Sequence, residues 1–440
     1  MANNSGTGLH LSKSLLAGNQ VSFLQNQGTA VLLSRLSSAT FRGLRLQASQ
    51  GRPAGLQLID QLAVYCNGCE FEGNEGGAVQ AESSSAVTLL NSVFSNNQAE
   101  EATLDFLLAS PSVLVNCSFT ANYATVKGTI RAMSTSLTFS NCLISNNQGG
   151  NRPGLVIIES AVVLADCVVG NQTGDSGYFL YVSSLSSVNL TRTWISLGRG
   201  SAVYVEESNL TFTSCRVADL QGEKGALLYA YSNANVTFLS SHFSTSTALN
   251  SGLVYLWMSS GYFHSTTFSA YQGSAIQAQQ SSLLLVNCSF EGGRSEAGTG
   301  LYCVQCRTLS LQHCHFVGLQ AVRGGAVAIE GGLKEAALVG CSFTDNRAAE
   351  GGGIYAHNTL LHIAESRFSN NSVNSAGPGQ RWGCGFRSHG LVQKLLSVYR
   401  AQCLCWQCCW SEGRSYCLAR QPLACLPQPC LLWQLRSLRS

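Results

Sequence analysis

The sequence predicts an all-β solenoid of about fifteen coils, each of about 25 residues, over residues 1–375. Three observations predict it. An apolar residue recurs at Phe23, Leu46, Phe71, Phe94, Phe119, Ile144, Val169, Ile195, Val217, Phe243, Phe268, Phe290, Phe316, Phe343 and Phe368, with every interval between 22 and 27 residues. A second column, Val79, Val203, Leu227, Val254, Ile276, Leu301, Val327 and Ile354, keeps step with it behind Gly-rich turns. Two residues before each closing apolar residue, from Cys69 to Ser366, only Cys, Ser or Thr occurs. That restriction marks a narrow interior position where coil stacks on coil at about 4.8 Å.

Within a coil the elements follow from the clearest copy, residues 351–371. Runs at 354–356, 360–363 and 366–368 have β character and are separated by Gly, Asn and Ser, which tolerate tight turns. Three such short strands cannot bury their apolar faces alone, so copies must stack and share one interior. Three residues after the closing apolar residue stands Asn26, Asn74, Asn97, Asn122, Asn147, Asn346 or Asn371. These are expected to take the left-handed conformation at a corner and to bond one another in a ladder.

The spellings Gly76-Gly77-Ala78-Val79, Gly324-Gly325-Ala326-Val327 and Gly351-Gly352-Gly353-Ile354, each paired with an F-x-x-N such as Phe71 to Asn74, resemble the polymorphic outer-membrane-protein repeat. More broadly, residues 6 to 372 resemble the right-handed parallel β-helices of the pectin-lyase-like superfamily. The resemblance implies that fold. It leaves activity open, since the superfamily holds lyases, hydrolases, epimerases, adhesins and inert surface proteins. Members of the polymorphic family end in a membrane β-barrel, and no run of alternating strands of that length follows Asn371.

Composition narrows the function classes. Residues 376–440 hold seven Arg, one Lys and one Glu, so the body of residues 1–375 carries a net charge of −4 within a chain total of +3. A mildly acidic body excludes a phosphate-tracking surface, so no nucleic-acid partner is expected. No apolar run is long enough for a membrane-spanning helix. The start lacks the order of a signal peptide, and Gly6-Thr7-Gly8-Leu9 repeats the spelling of Gly298-Thr299-Gly300-Leu301, so the chain is expected to be an internal piece of a longer protein. Of 19 cysteines, eleven lie in the body, and the interior column is expected to hold them as buried free thiols. Acceptor sequons occur at Asn3, Asn116, Asn171, Asn189, Asn209, Asn235, Asn287 and Asn370, with Asn171, Asn189, Asn209 and Asn235 the glycosylation candidates.

Catalytic chemistry on a sugar polymer needs converging carboxylates. The six Asp are scattered, and Glu100-Glu101 and Glu206-Glu207 alternate faces along their strands, so no catalytic residue and no cofactor is assigned. Cys303, Cys306, His313, Cys314 and His315 have ligand chemistry, but strand alternation turns the histidines away from Cys314, and no metal site is assigned. One column points to binding. The residue after the Val79-type anchor reads Gln80, Tyr204, Leu228, Tyr255, Gln277, Tyr302, Ala328 and Tyr355, which places four tyrosines on one exposed flank where they could stack on sugar rings. Strand propensity alone also favours tyrosine there. Beyond about residue 378 the period stops, and 376–440 reads as a Cys-, Trp- and Arg-rich tail, poorly ordered or non-native. The expected function is a non-enzymatic, elongated extracellular or cell-surface scaffold contacting glycans or cell-surface proteins. The alternative is a fragment of a carbohydrate-active enzyme lacking its catalytic carboxylates.

Overall fold

The corners after the second and third strands are turned by single residues in the left-handed region, and several corners after the first strand by two, as at Ser83 and Ser84. Asn91, Asn116 and Asn141 end the second strands of three successive coils, and Asn96, Ala121 and Asn146 end the third, all with φ between 49° and 55°. Asn is suited to this because its short side chain lowers the cost of positive φ. The glycines serve a tighter need. At Gly76, with φ of +111°, an added Cβ would lie 1.6 Å from the carbonyl oxygen of Gly51 in the coil before, so only hydrogen fits.

The computed structural model describes residues 3–373 except 36–37, 61–62, 151–153, 175–177, 200–201, 223–224 and 334, together with the backbone of Gln407–Ser411 and Arg414–Leu418. Between the corners run three short strands per coil, for example Val79–Glu82, Ala86–Leu90 and Val93–Ser95. Each pairs in parallel with its counterpart in the next coil, as Val79 with Leu104 and Phe94 with Phe119. The second strands form a 15-stranded sheet, and the first and third strands a 30-stranded one. Among the described residues there is no helix. The solenoid is therefore about 70 Å long at roughly 4.8 Å per coil.

The apolar column expected from Phe23 to Phe368 is in register at every coil, from Phe23 with Leu46 to Phe343 with Phe368. Its rings stack: Phe268, Phe290, Phe316, Phe343 and Phe368 follow one another at centroid spacings of 5.2, 4.8, 4.9 and 4.7 Å. Burying each ring contributes about 1.5–3 kcal/mol. The Cys, Ser and Thr column is interior, and its donors return to backbone carbonyls. Cys117 Sγ, for instance, donates to Val115 O at 3.4 Å and to Leu89 O of the preceding coil at 3.5 Å.

The asparagine column forms a buried ladder. Asn74, Asn97 and Asn122 each donate from Nδ2 to Oδ1 of the next, the last to Asn147, at 2.9, 2.9 and 3.0 Å, and each also donates to a backbone carbonyl. The expectation that these residues themselves take positive φ is corrected: the left-handed residue is the one before, as Asn96 precedes Asn97. Tyr271 takes the corresponding corner position in a later coil, just before Gln272, whose N–H donates to Ser246 O as Tyr123 does to Asn97 O. It is 2% exposed, and its hydroxyl meets no partner. Tyr271→Phe should leave stability unchanged or raise it by about 1 kcal/mol, because the change removes a desolvated, unpaired hydroxyl. A lowered urea midpoint would show that the hydroxyl is satisfied.

Three further expectations shift. The strands of the clearest coil are Ile354–His357, Leu361–Ala364 and Arg367–Ser369, so the last two begin one residue late relative to the sequence reading. Val203 pairs with Leu228, not Leu227, because the corner there holds one more residue. Free thiols hold for Cys117, Cys142, Cys167, Cys215, Cys288, Cys314 and Cys341, all buried, but Cys66 bridges Cys69 and Cys303 bridges Cys306. Both bridges span a corner within one coil, where Cα separations of 6.0 and 5.9 Å suit a disulfide. Burial raises the pKa of Cys215, and hydrogen bonding to Cys142 followed by burial raises those of Cys117 and Cys167. Hydrogen bonds with Cys117 and Cys167 lower the pKa of Cys142, and one with Cys314 lowers that of Cys288, so it is burial that keeps all seven thiols from reagents. Maleimide followed by peptide mapping should leave all seven unmodified in native protein and label them in denaturant; native labelling at any of them would contradict the buried placement. The expected tail, 376–440, lies outside the described residues, save for Gln407–Ser411 paired antiparallel with Arg414–Leu418.

Candidate functional site: a tyrosine ladder on the first-strand face

In-register stacking turns any repeated outward position into a row of neighbours about 4.8 Å apart. On the first strands the row next to the buried anchors reads Asp105, Arg131, Val156, Tyr181, Tyr204, Tyr229, Tyr255, Gln277, Tyr302, Ala328 and Tyr355. Four consecutive tyrosines stand in its middle. Their ring centroids are 5.1, 5.6 and 5.2 Å apart and the rings lie within 14° of parallel. Tyr178 leans on Tyr204 at 5.3 Å, and one position along the face Tyr231 meets Trp257 edge-on at 5.6 Å.

Of the four tyrosines expected on this flank, the structure brings together Tyr204 and Tyr255. Tyr302 and Tyr355 lie farther along, separated from the stack by Gln277 and from each other by Ala328. Tyr181 and Tyr229 complete the stack but escape the sequence reading. Tyr229 was hidden by the one-residue slip that put Leu228, which is fully buried, in its place. Tyr181 lies outside the columns read from the sequence, although Gly177 stands three residues before Leu180 as Gly200 does before Val203, and a period of about 25 back from Tyr204 leads close to it.

Stacking also changes what the tyrosines offer. Each inner ring covers its neighbour's face, and Tyr255 is only 8% exposed, so the surface presented is a row of ring edges and hydroxyls rather than open faces for a sugar. Tyr204 donates to Glu206 Oε2 at 3.4 Å and Tyr255 to Gln279 Oε1 at 3.2 Å. Burial, then the charge of Glu206, raises the Tyr204 phenol, and burial, then neighbouring tyrosines, pushes Tyr229 up to about 12. Tyr204, Tyr229 and Tyr255 are therefore neutral at physiological pH, and the hydroxyl protons of Tyr204 and Tyr255 are engaged by Glu206 and Gln279.

Two charged clusters flank it on the same face. Towards the C-terminal end, Tyr302 donates to Glu330 Oε2 at 3.1 Å, Glu330 pairs with Arg323 at 2.6 Å, and the Arg323 guanidinium lies 5.8 Å from the Tyr355 ring centre. Towards the other end, Arg131 Nε donates to Asp105 Oδ1 at 2.6 Å, its Nη2 donates to Asp105 Oδ2, and its Nη1 reaches Glu101 at 3.4 Å. Burial and the nearby Asp105 raise the Glu82 carboxyl. Glu82 and Arg131 come from the coils on either side of Glu101 and Asp105, so the cluster is not contiguous in the sequence. The group gathered from Cys303 to His315 is otherwise engaged: Cys303 and Cys306 bridge, Cys314 Sγ donates to Gln312 O at 3.3 Å, and His315 Nδ1 meets Ser342 Oγ at 2.7 Å.

The family model described as right handed beta helix region matches residues 29–195 and 179–373. The chain belongs to this right-handed β-helix family. The expected pectin-lyase-like architecture is consistent with that membership. No curated protein matches the chain. In this right-handed β-helix, Asn171, Asn189, Asn209 and Asn235 are all exposed, Asn171 at a corner and the other three on second strands. Among the described residues no helix is long and apolar enough to cross a membrane.

Proposed function

We propose that this β-helix is a non-enzymatic, elongated extracellular or cell-surface scaffold that contacts glycans or cell-surface proteins through its first-strand face. The observation that carries this reading is the stack of Tyr181, Tyr204, Tyr229 and Tyr255 with Tyr231 and Trp257 beside it. Tyrosine and tryptophan in rigid, half-buried rows supply contact area at little entropic cost and are enriched where proteins bind. The stacked rings hold one another, so the hydroxyl row is pre-organised before any partner arrives. The repeat spelling, which resembles that of polymorphic outer-membrane proteins, supports a surface role.

The test is Tyr204→Ala with Tyr229→Ala, screened beside the native chain on a glycan array and on cells. Loss of binding by about tenfold or more, with the circular dichroism spectrum kept, is the expected result. Equal binding by both chains removes the tyrosine face from the reading.

A second reading, a carbohydrate-active enzyme, is favoured by one observation, the meeting of Glu82, Asp105 and Arg131 on the same face. Against it, Arg131 holds both oxygens of Asp105 in a bidentate, charge-assisted pair, which weakens that carboxylate as a base. Incubation with acidic polysaccharides, followed by ultraviolet absorbance for elimination and by reducing-end release for hydrolysis, decides between them. Turnover abolished by Glu82→Gln would establish the enzyme.

A further inference from the structure

The same three coils that carry Tyr181, Tyr204 and Tyr229 carry acceptor sequons on a different face. Asn189-Leu190-Thr191, Asn209-Leu210-Thr211 and Asn235-Val236-Thr237 lie on their second strands. Strand alternation points each acceptor outward, because Val188 and Leu190, Leu210 and Phe212, and Val236 and Phe238 are buried on either side or next along. Asn209 pairs with Asn235 and Asn189 with Thr211, so the three acceptors occupy two adjacent rows of one sheet. Asn235 Nδ2 donates to Asn209 Oδ1 at 3.1 Å in the unmodified chain.

The other five sequons follow the same rule. Asn116 and Asn287 sit at the corner between second and third strands, Asn171 and Asn370 at the corner after the third, and Asn3 ahead of the first strand, its N–H donating to Leu24 O of the next coil; each is in the left-handed conformation and exposed. None of the eight lies on a first strand. A sequon on the tyrosine face would place a bulky, hydrated chain over the hydroxyl row. The disulfides Cys66–Cys69 and Cys303–Cys306 belong to the same oxidising compartment in which glycans are attached.

We propose that Asn189, Asn209 and Asn235 are N-linked glycan sites, and that glycans coat the second-strand face while leaving the first-strand tyrosine face bare for its partner. The inference rests on the extracellular reading above. The donor is an oligosaccharide carried on a lipid pyrophosphate. The amide Nδ2 forms a C–N bond to the anomeric carbon as the C–O bond to pyrophosphate breaks, the lipid pyrophosphate leaves with the electron pair, and the amide proton passes to a base of the transferase.

To test it, the full chain is secreted from a eukaryotic host behind an added leader and treated with peptide N-glycosidase in heavy-oxygen water. Conversion to labelled Asp at Asn189 and at one or both of Asn209 and Asn235 is expected, with nitration of Tyr204 unchanged by glycan removal. The variant Asn189→Gln, Asn209→Gln, Asn235→Gln should lose the mass increment and keep the β-sheet circular dichroism spectrum. A folded, secreted chain unmodified at all three sites overturns the proposal, as does a Tyr204 whose nitration rises on deglycosylation. Partner binding by the Tyr204 and Tyr229 variants is a separate readout, so modified chains without a tyrosine-dependent partner would sink the contact reading alone.

Discussion

Phe290→Ala should lower the unfolding free energy by about 3–5 kcal/mol. Phe290 is fully buried, with the Phe268 ring 5.2 Å and the Phe316 ring 4.8 Å from its centre. Truncation removes the transfer energy of the ring and opens a gap that two parallel neighbours, each held by its own coil, are poorly placed to close. Because a solenoid is stabilised by nearest-neighbour contacts, the loss falls on the coils on either side of Phe290. Urea unfolding followed by circular dichroism gives the magnitude. Phe290→Leu, closer in volume, should cost less than about 1.5 kcal/mol. A Phe290→Ala loss below about 1 kcal/mol would mean that the ring stack contributes little.

Arg131→Ala should be comparably severe, at about 3–5 kcal/mol near neutral pH, because it leaves the Asp105 carboxylate buried without its counter-charge. The side chains of Arg131 and Asp105 are 8% and 7% exposed. Burial already holds the Asp105 carboxyl above its ordinary range, with Arg131 pulling it back. The sign of the pH effect follows. A carboxyl whose pKa is raised in the folded state adds stability below its unfolded pKa and loses it as pH rises through the folded value. Deleting Arg131 raises the folded value further, so the variant should be penalised more at about pH 7 than at about pH 4. Replacing the pair together, Asp105→Leu with Arg131→Met, should recover most of the loss. Equal penalties at both pH values would show that Asp105 escapes to solvent.

The inward half of the fold was legible residue by residue. The Phe23 to Phe368 column, the Cys, Ser and Thr column and the asparagine column all fall inside, where a cross-section shared by every coil admits few side chains. The outward half was legible only in part. Tyr204 and Tyr255 follow apolar anchors that Gly200 and Gly252 mark; Gly177 marks Leu180 in the same way, so Tyr181 was within reach of the same spelling, whereas Tyr229 follows two leucines that are both buried. The disulfides are not visible in the column pattern, which relates residues one coil apart, because each closes a corner within one coil.

By its own spelling the chain settles the period, the parallel stacking and which columns face the interior, since each inward column must satisfy the same steric limit at every coil. Only the folded coils decide which outward residues become neighbours. Asp105 and Arg131 are 26 residues apart, and Tyr204 and Tyr229 are 25. No outward position constrains its composition, and a slip of one residue exchanges the two faces of a strand. The tyrosine row and the carboxylate cluster therefore exist only once register is set, and register is set by the buried Val, Leu and Ile anchors on the other side of the first strands together with the phenylalanine and asparagine columns of the third strands and their corners.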